Sequence, residues 1–163
     1  MDAEEPRWLN EEERQTWLSL VTLMVRLPAA LDAQMQQDSG VGHFEYLVMA
    51  VLSEAPGRTL RMRELAMITN GSLSRLSHLI KRLESRGWVT RAPDPCDPRY
   101  NFAVLTETGW DKVVASAPGH VEEVRRLVFD PLTKAQQRHL ATVLRRIGQA
   151  IDPDDIPPTD GPS

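Results

Sequence analysis

The chain has 163 residues, 41% of them hydrophobic and 26% charged, with a formal net charge of −4. That is enough apolar matter for one folded domain and too much for wholesale disorder, and no run of 18 consecutive apolar residues offers a membrane span. The acidic start Met1-Asp2-Ala3-Glu4-Glu5 is unlike a secretion signal, and the single cysteine, Cys96, excludes an internal disulfide, so a cytoplasmic location is expected.

Residues 1–10 read as an N-terminal extension. Asn10 followed by Glu13 has the form of a capping box, and Trp17, Leu20, Met24, Leu27 and Leu31 recur at helical spacing, which predicts a helix from Glu11 to about Gln37. Pro28 is expected to kink it. Phe44, Leu47, Val48, Val51 and Leu52 predict a second helix that ends near Ala55-Pro56-Gly57. Met62 to Ile68 is a short third helix. Asn70-Gly71 is a turn, since both residues tolerate positive φ. Ser72 caps a fourth helix that runs to about Arg86 and stops at Gly87. Its residues Leu73, Leu76, Leu79, Ile80 and Leu83 fall on one stripe.

The period then shifts toward two. Trp88 to Ala92 and Tyr100 to Leu105 predict two strands around the stiff loop Pro93-Asp94-Pro95-Cys96-Asp97-Pro98. A helix-turn-helix followed by a hairpin is a winged helix-turn-helix. Thr106 opens a helix to Phe129, with a kink expected at Pro118-Gly119. Thr133 with Gln136 opens the last one, through Leu140, Val143, Leu144, Ile147 and Ile151. Residues 152–163 read as an acidic, proline-rich tail, expected to be disordered. The fold class is mainly α with a small β-wing. A DNA-binding lobe spans about 43–105 within a domain of 11–151.

Charge is unevenly distributed. Residues 1–40 carry 8 acids and 3 bases, whereas residues 58–99 carry 9 bases and 4 acids. A basic island in an acidic chain suggests a surface that faces a polyanion. The fourth helix sharpens this reading. Opposite its leucines stand Ser72, Ser74, Arg75, Ser77, His78, Lys81 and Arg82, with no acid before Glu84. Short serines let a helix sit deep in the major groove, Arg75 and His78 reach base edges, and Lys81 and Arg82 are placed for phosphates. In the loop, Asp97-Pro98-Arg99 presents Arg99 near the hairpin tip, where an arginine can enter the minor groove.

The run Leu83-Glu84-Ser85-Arg86-Gly87-Trp88-Val89-Thr90-Arg91, then Asp97-Pro98-Arg99, then Leu105-Thr106-Glu107-Thr108-Gly109, resembles the multiple antibiotic resistance regulator (MarR) family. Arg63-Glu64-Leu65-Ala66 resembles that family's first helix of the helix-turn-helix. The resemblance implies a homodimeric transcription factor, more often a repressor, on a palindromic double-stranded DNA operator. It implies dimerisation helices at about 11–37 and 106–151, wing-tip residues Asp97 and Arg99, recognition positions within Ser72 to Arg86, and a possible small-molecule effector bound between the lobes.

No GxSxG, P-loop or GxGxxG occurs, and His43, His78, His120 and His139 lack tight metal spacing. No catalytic residue, metal or cofactor is expected, and no membrane partner. Two other readings stay open: a winged-helix protein-interaction module and a non-specific architectural DNA-binding protein. The first should place acids or bulky apolar groups on the exposed face of the fourth helix, and the second should give the chain a strong positive net charge.

Overall fold

The structure, a computed structural model, describes residues 5–94, 97 and 101–152. The chain divides into two compact units, residues 1–121 and 122–163. The first holds α1 (Glu11–Ser39), α2 (His43–Glu54), β1 (Thr59–Arg61), α3 (Met62–Ile68), α4 (Leu73–Ser85), β2 (Val89–Pro93), β3 (Asn101–Leu105) and most of α5 (Glu107–Val124). The second holds a π-helical segment, Arg125–Phe129, and α6 (Lys134–Ile151).

Local chemistry sets the helix ends. Asn10 and Glu13 exchange two hydrogen bonds of 2.9 Å, each side chain accepting from the other residue's backbone N–H. At the far end of α1, Gly40 takes φ 64°, and its N–H returns to the last turn. Thr133 and Gln136 close the same kind of box at α6. Pro28 lies inside α1, which continues past it as one element.

One core joins the elements of the first unit. Met35, Val48, Met49, Leu52, Leu65, Leu76, Ile80, Leu83 and Val89 are all but fully buried. The sheet order is β1-β3-β2, both pairs antiparallel, with Leu60 opposite Ala103 and Val89 opposite Leu105. Ala103 and Leu105 are buried, so β3 seals the core beneath α2, while β2 packs against α4.

Three expectations need correction. The sheet has a third strand, β1, which the sequence reading left out. Three residues are too few for a period-two signal; the strand exists because Gly57 and Arg58, at φ 60° and 53°, turn the chain back onto β3. The kink expected at Pro118-Gly119 does not interrupt α5, which runs on to Val124, and the irregular hydrogen bonding falls instead in the π-helical segment 125–129. A proline removes one helical bond, and here Gly109, Val113 and Ser116 bury the face of the helix before it. Leu73, assigned to the apolar stripe of α4, is 55% exposed. As the first residue of its helix, it tilts back over the turn before it rather than into the core.

Large apolar faces stay uncovered. In α1 only Leu31 and Met35 are buried, while Trp17, Leu18, Leu23, Met24 and Val25 are each about half exposed or more. No residue of α6 is buried, and Val143, Leu144, Ile147 and Ile151 lie open. By length and composition α1 also meets the measure of a membrane-crossing helix, with a mean hydropathy of 1.2 over 18 residues. Arg26 and Asp32 interrupt its apolar run, and each such charge at a bilayer centre costs about 2.5–3.5 kcal/mol on insertion scales.

Candidate nucleic-acid interface

The interface is assembled from the turn between α4 and β2. Gly87 adopts φ 73°, a conformation that disfavours any side chain. Thr106, between β3 and α5, fastens this turn from the other side: its hydroxyl donates to the Gly87 carbonyl at 2.7 Å and accepts the Gly109 N–H at 3.0 Å. A Cβ on Gly109 would lie 2.1 Å from the Trp88 carbonyl oxygen. The Leu105-Thr106-x-x-Gly109 motif is therefore a clasp that fixes the wing to α4.

The predicted residues of α4 lie where the sequence put them. Ser72 caps the helix by accepting the Arg75 N–H at 3.2 Å. Ser72, Ser74, Arg75, His78, Lys81 and Arg82 are exposed, Ser77 is half-buried, and Leu76, Leu79, Ile80 and Leu83 are buried beneath them. The one acid of α4, Glu84, is paired with Arg91 of β2 at 3.2 Å. Arg91 also donates to the Ser77 carbonyl at 2.9 Å, which ties the wing strand along the helix. Between α3, the start of α4 and the strands lies an open cleft of about 1240 Å³, lined by Arg61, Arg63, Ser72, Ser74, Ser77 and Arg91 among others.

Two of the predicted DNA contacts are engaged within the protein. The Arg75 guanidinium lies 4.6 Å from the centre of the Phe44 ring. Arg82 pairs with Glu45 Oε1 at 3.2 Å, and Arg86 with Oε2 of the same carboxylate at 3.4 Å. Glu45 is almost fully buried and also accepts the Gly42 N–H at 3.0 Å. Sequence analysis places Phe44 only among the apolar residues of the second helix and assigns Glu45 no role. The available signal was a lone acid in the run Phe44-Glu45-Tyr46-Leu47-Val48, since a buried carboxylate needs a cation.

At the base of the wing, buried Asp94 pairs with Arg61 at 2.8 Å, and Arg61 lies 5.8 Å from the Phe102 ring centre. Asp97 is half-buried. Arg99 and Cys96 lie outside the described residues, as does the tail beyond Asp152.

Behind the interface, α1, α2 and α5 meet at a polar junction. The His43 and His120 rings are 5.5 Å apart, and His120 is 4.9 Å from Tyr46. The Asp32 carboxylate accepts the His43 backbone N–H at 2.8 Å. Burial holds both imidazoles below their usual range, opposed at His43 by Asp32 and reinforced at His120 by His43. Gln34 Oε1, Ser116 Oγ and His120 Nδ1 are buried with no hydrogen-bond partner among the described residues.

Comparison with known proteins agrees with this geometry. The MarR family model matches residues 39–99, from the end of α1 to the wing. The fold superimposes with a TM-score of 0.87 on Sco3205 of Streptomyces coelicolor, a MarR family transcriptional regulator crystallised in complex with DNA, at 42% identity over 94% of this chain and 96% of that one. AbsC of the same organism, also a MarR family transcriptional regulator, gives a TM-score of 0.82 at 35% identity over 90% and 98% of the two chains. The uncharacterized HTH-type transcriptional regulator YdcH of Bacillus subtilis is 30% identical over 82 residues, a match that spans 50% of this chain and 55% of that protein. With a winged helix, an α4 that carries serines and arginines and no acid before Glu84, and 42% identity to one such regulator over nearly its whole length, the chain belongs to the MarR family of transcriptional regulators.

Proposed function

We propose that the protein is a homodimeric, cytoplasmic repressor that binds a palindromic double-stranded DNA operator, and that it acts by binding rather than by catalysis. The observation that carries this reading is the sidedness of α4: Leu76, Leu79, Ile80 and Leu83 are buried, and the other face offers Ser72, Ser74, Arg75, Ser77, His78, Lys81 and Arg82. In this reading Arg75 and His78 read base edges, Lys81 and Arg82 meet phosphates, and Arg99, beside Asp97 on the wing, enters the minor groove. The uncovered apolar faces of α1 and α6 support a second copy as the partner of the terminal helices, and Arg26 and Asp32 favour protein over lipid as what covers α1. The DNA-binding lobe is then about 43–105, and the dimerisation helices about 11–37 and 106–151. A small-molecule effector that releases the DNA is supported by the orphaned polar atoms of Gln34, Ser116 and His120.

The test is selection of bound genomic fragments, followed by binding to a panel of single-base variants of the selected site. Arg75→Ala should relax discrimination at one symmetric pair of positions by about 1–3 kcal/mol. Arg99→Ala should weaken binding with sequence effects confined to A·T-rich flanks. Equal losses on every variant from both substitutions would contradict this division between helix and wing.

A further inference from the structure

We infer that Phe44 and Glu45 of α2, outside the recognition helix, are specificity-determining residues: they hold Arg75 and Arg82 against the protein until a matching operator draws them away. The inference rests on the reading of α4 as the DNA-facing helix.

Two adjacent α2 residues engage the two arginines of the exposed α4 face. Phe44 offers its ring to Arg75 at 4.6 Å, and Glu45 offers one carboxylate oxygen to Arg82 at 3.2 Å. Phe44 also lies 3.4 Å from where a Gly71 side chain would begin, so its ring is wedged at the turn between α3 and α4. The two cations held by Glu45 differ in freedom. The Arg86 side chain is 42% exposed and further fixed by the Gly40 carbonyl at 3.2 Å and the Trp88 ring at 4.9 Å. The Arg82 side chain is 65% exposed, and like Lys81 it belongs to the exposed face of α4. When Arg82 leaves, Glu45 keeps Arg86 and the Gly42 N–H, so no buried charge is stranded. Arg82 can therefore move to a phosphate. Glu45 competes with every phosphate for it, and Phe44 competes with every base for Arg75. A non-matching duplex, which seats α4 poorly, loses that competition, whereas an operator that seats it fully wins. These two arginines then contribute to specific binding and little to non-specific binding.

The experiment is a salt series of fluorescence anisotropy titrations with a genomic fragment selected by the wild-type protein and a random duplex of equal length. Wild type should show a steeper slope on the selected fragment, by about 1.8 for one extra phosphate contact per protomer. Arg82→Gln should remove that excess and leave the random-DNA slope unchanged. Glu45→Gln should steepen the random-DNA slope toward that of the selected fragment and tighten random binding on the order of 5-fold per protomer at ~150 mM salt. On the Arg82→Gln background the same change should give no gain. Phe44→Leu should lower the ratio of selected to random affinity. Arg82→Gln lowers both slopes equally, or leaves both unchanged, if Glu45 does not hold this cation back, and either result overturns the inference; it decides the matter even where Glu45→Gln fails to fold. An undiminished ratio in Phe44→Leu overturns the assignment of Phe44. A wild-type protein with no preference for any fragment instead overturns the functional reading, and this inference with it.

Discussion

Gly109 sits where the backbone of α5 touches the Trp88 carbonyl, and a methyl group there would stand 2.1 Å from that oxygen. Neither backbone can yield without opening the Thr106 clasp. Gly109→Ala should therefore lower stability by about 3 kcal/mol, seen as a melting temperature lower by roughly 6–12 °C; an unchanged transition would remove the clasp from the account. The motif around Thr106 was legible as a pattern, but its reason was not, because the oxygen that forbids a side chain comes from a turn 21 positions earlier in the chain. The same holds for Arg75 and Arg82: the helical period predicts that they lie opposite the buried leucines, where they are exposed, while the groups that hold them come from α2. His43 and His120 make a pH prediction. Burial lowers both imidazoles in the folded protein, so the unfolded chain takes up protons first as pH falls through about 6.5. Their contribution is complete above that pH and is lost below it, toward the lower folded values. Thermal unfolding from pH 8 to 5 should show this loss, and His120→Gln should flatten it; an equal slope in wild type and variant would contradict the burial argument. Asp32 and Tyr46, the groups facing this pair, remain in both proteins.

Among the elements, those with their own end signals were read closely. Asn10 with Glu13, Ser72, and Thr133 with Gln136 mark three helix starts that the structure reproduces. Elements that exist only through a partner were missed. β1 is made by pairing with β3, and the π-helical segment 125–129 has no pattern of its own. The apolar faces of α1 and α6 were legible as stripes but not as uncovered surfaces, which only the exposed Met24, Val25, Leu144 and Ile147 reveal. If a second copy covers α6, Leu144→Glu places a charge in that interface on both protomers. Losing two buried leucines at about 1.5–3 kcal/mol each should weaken the dimer at least 100-fold. Removal of residues 133–163 should abolish the soluble dimer. Sedimentation of either variant as an intact dimer would move the interface elsewhere.

At the scale of the whole molecule, charge divides the labour. The net charge is −4, while the stretch 58–99 carries 9 bases and 4 acids, an asymmetry that favours a polyanion at the winged helix over the rest of the chain. If each protomer brings Lys81, Arg82, Arg99 and one further cation to phosphates, a dimer neutralises about 8, and log K on the operator should fall with log salt at a slope of roughly −7; a slope shallower than about −3 would reject that contact set. In the proposed function, two chains together recognise one DNA sequence. The direct measurement is an anisotropy titration, at ~150 mM salt, of a selected operator against random duplex, with the stoichiometry read from the saturation point. Two chains per operator and a preference of about 10³-fold or more are expected. Equal affinity for the two duplexes, or one chain per operator, would contradict the proposed function.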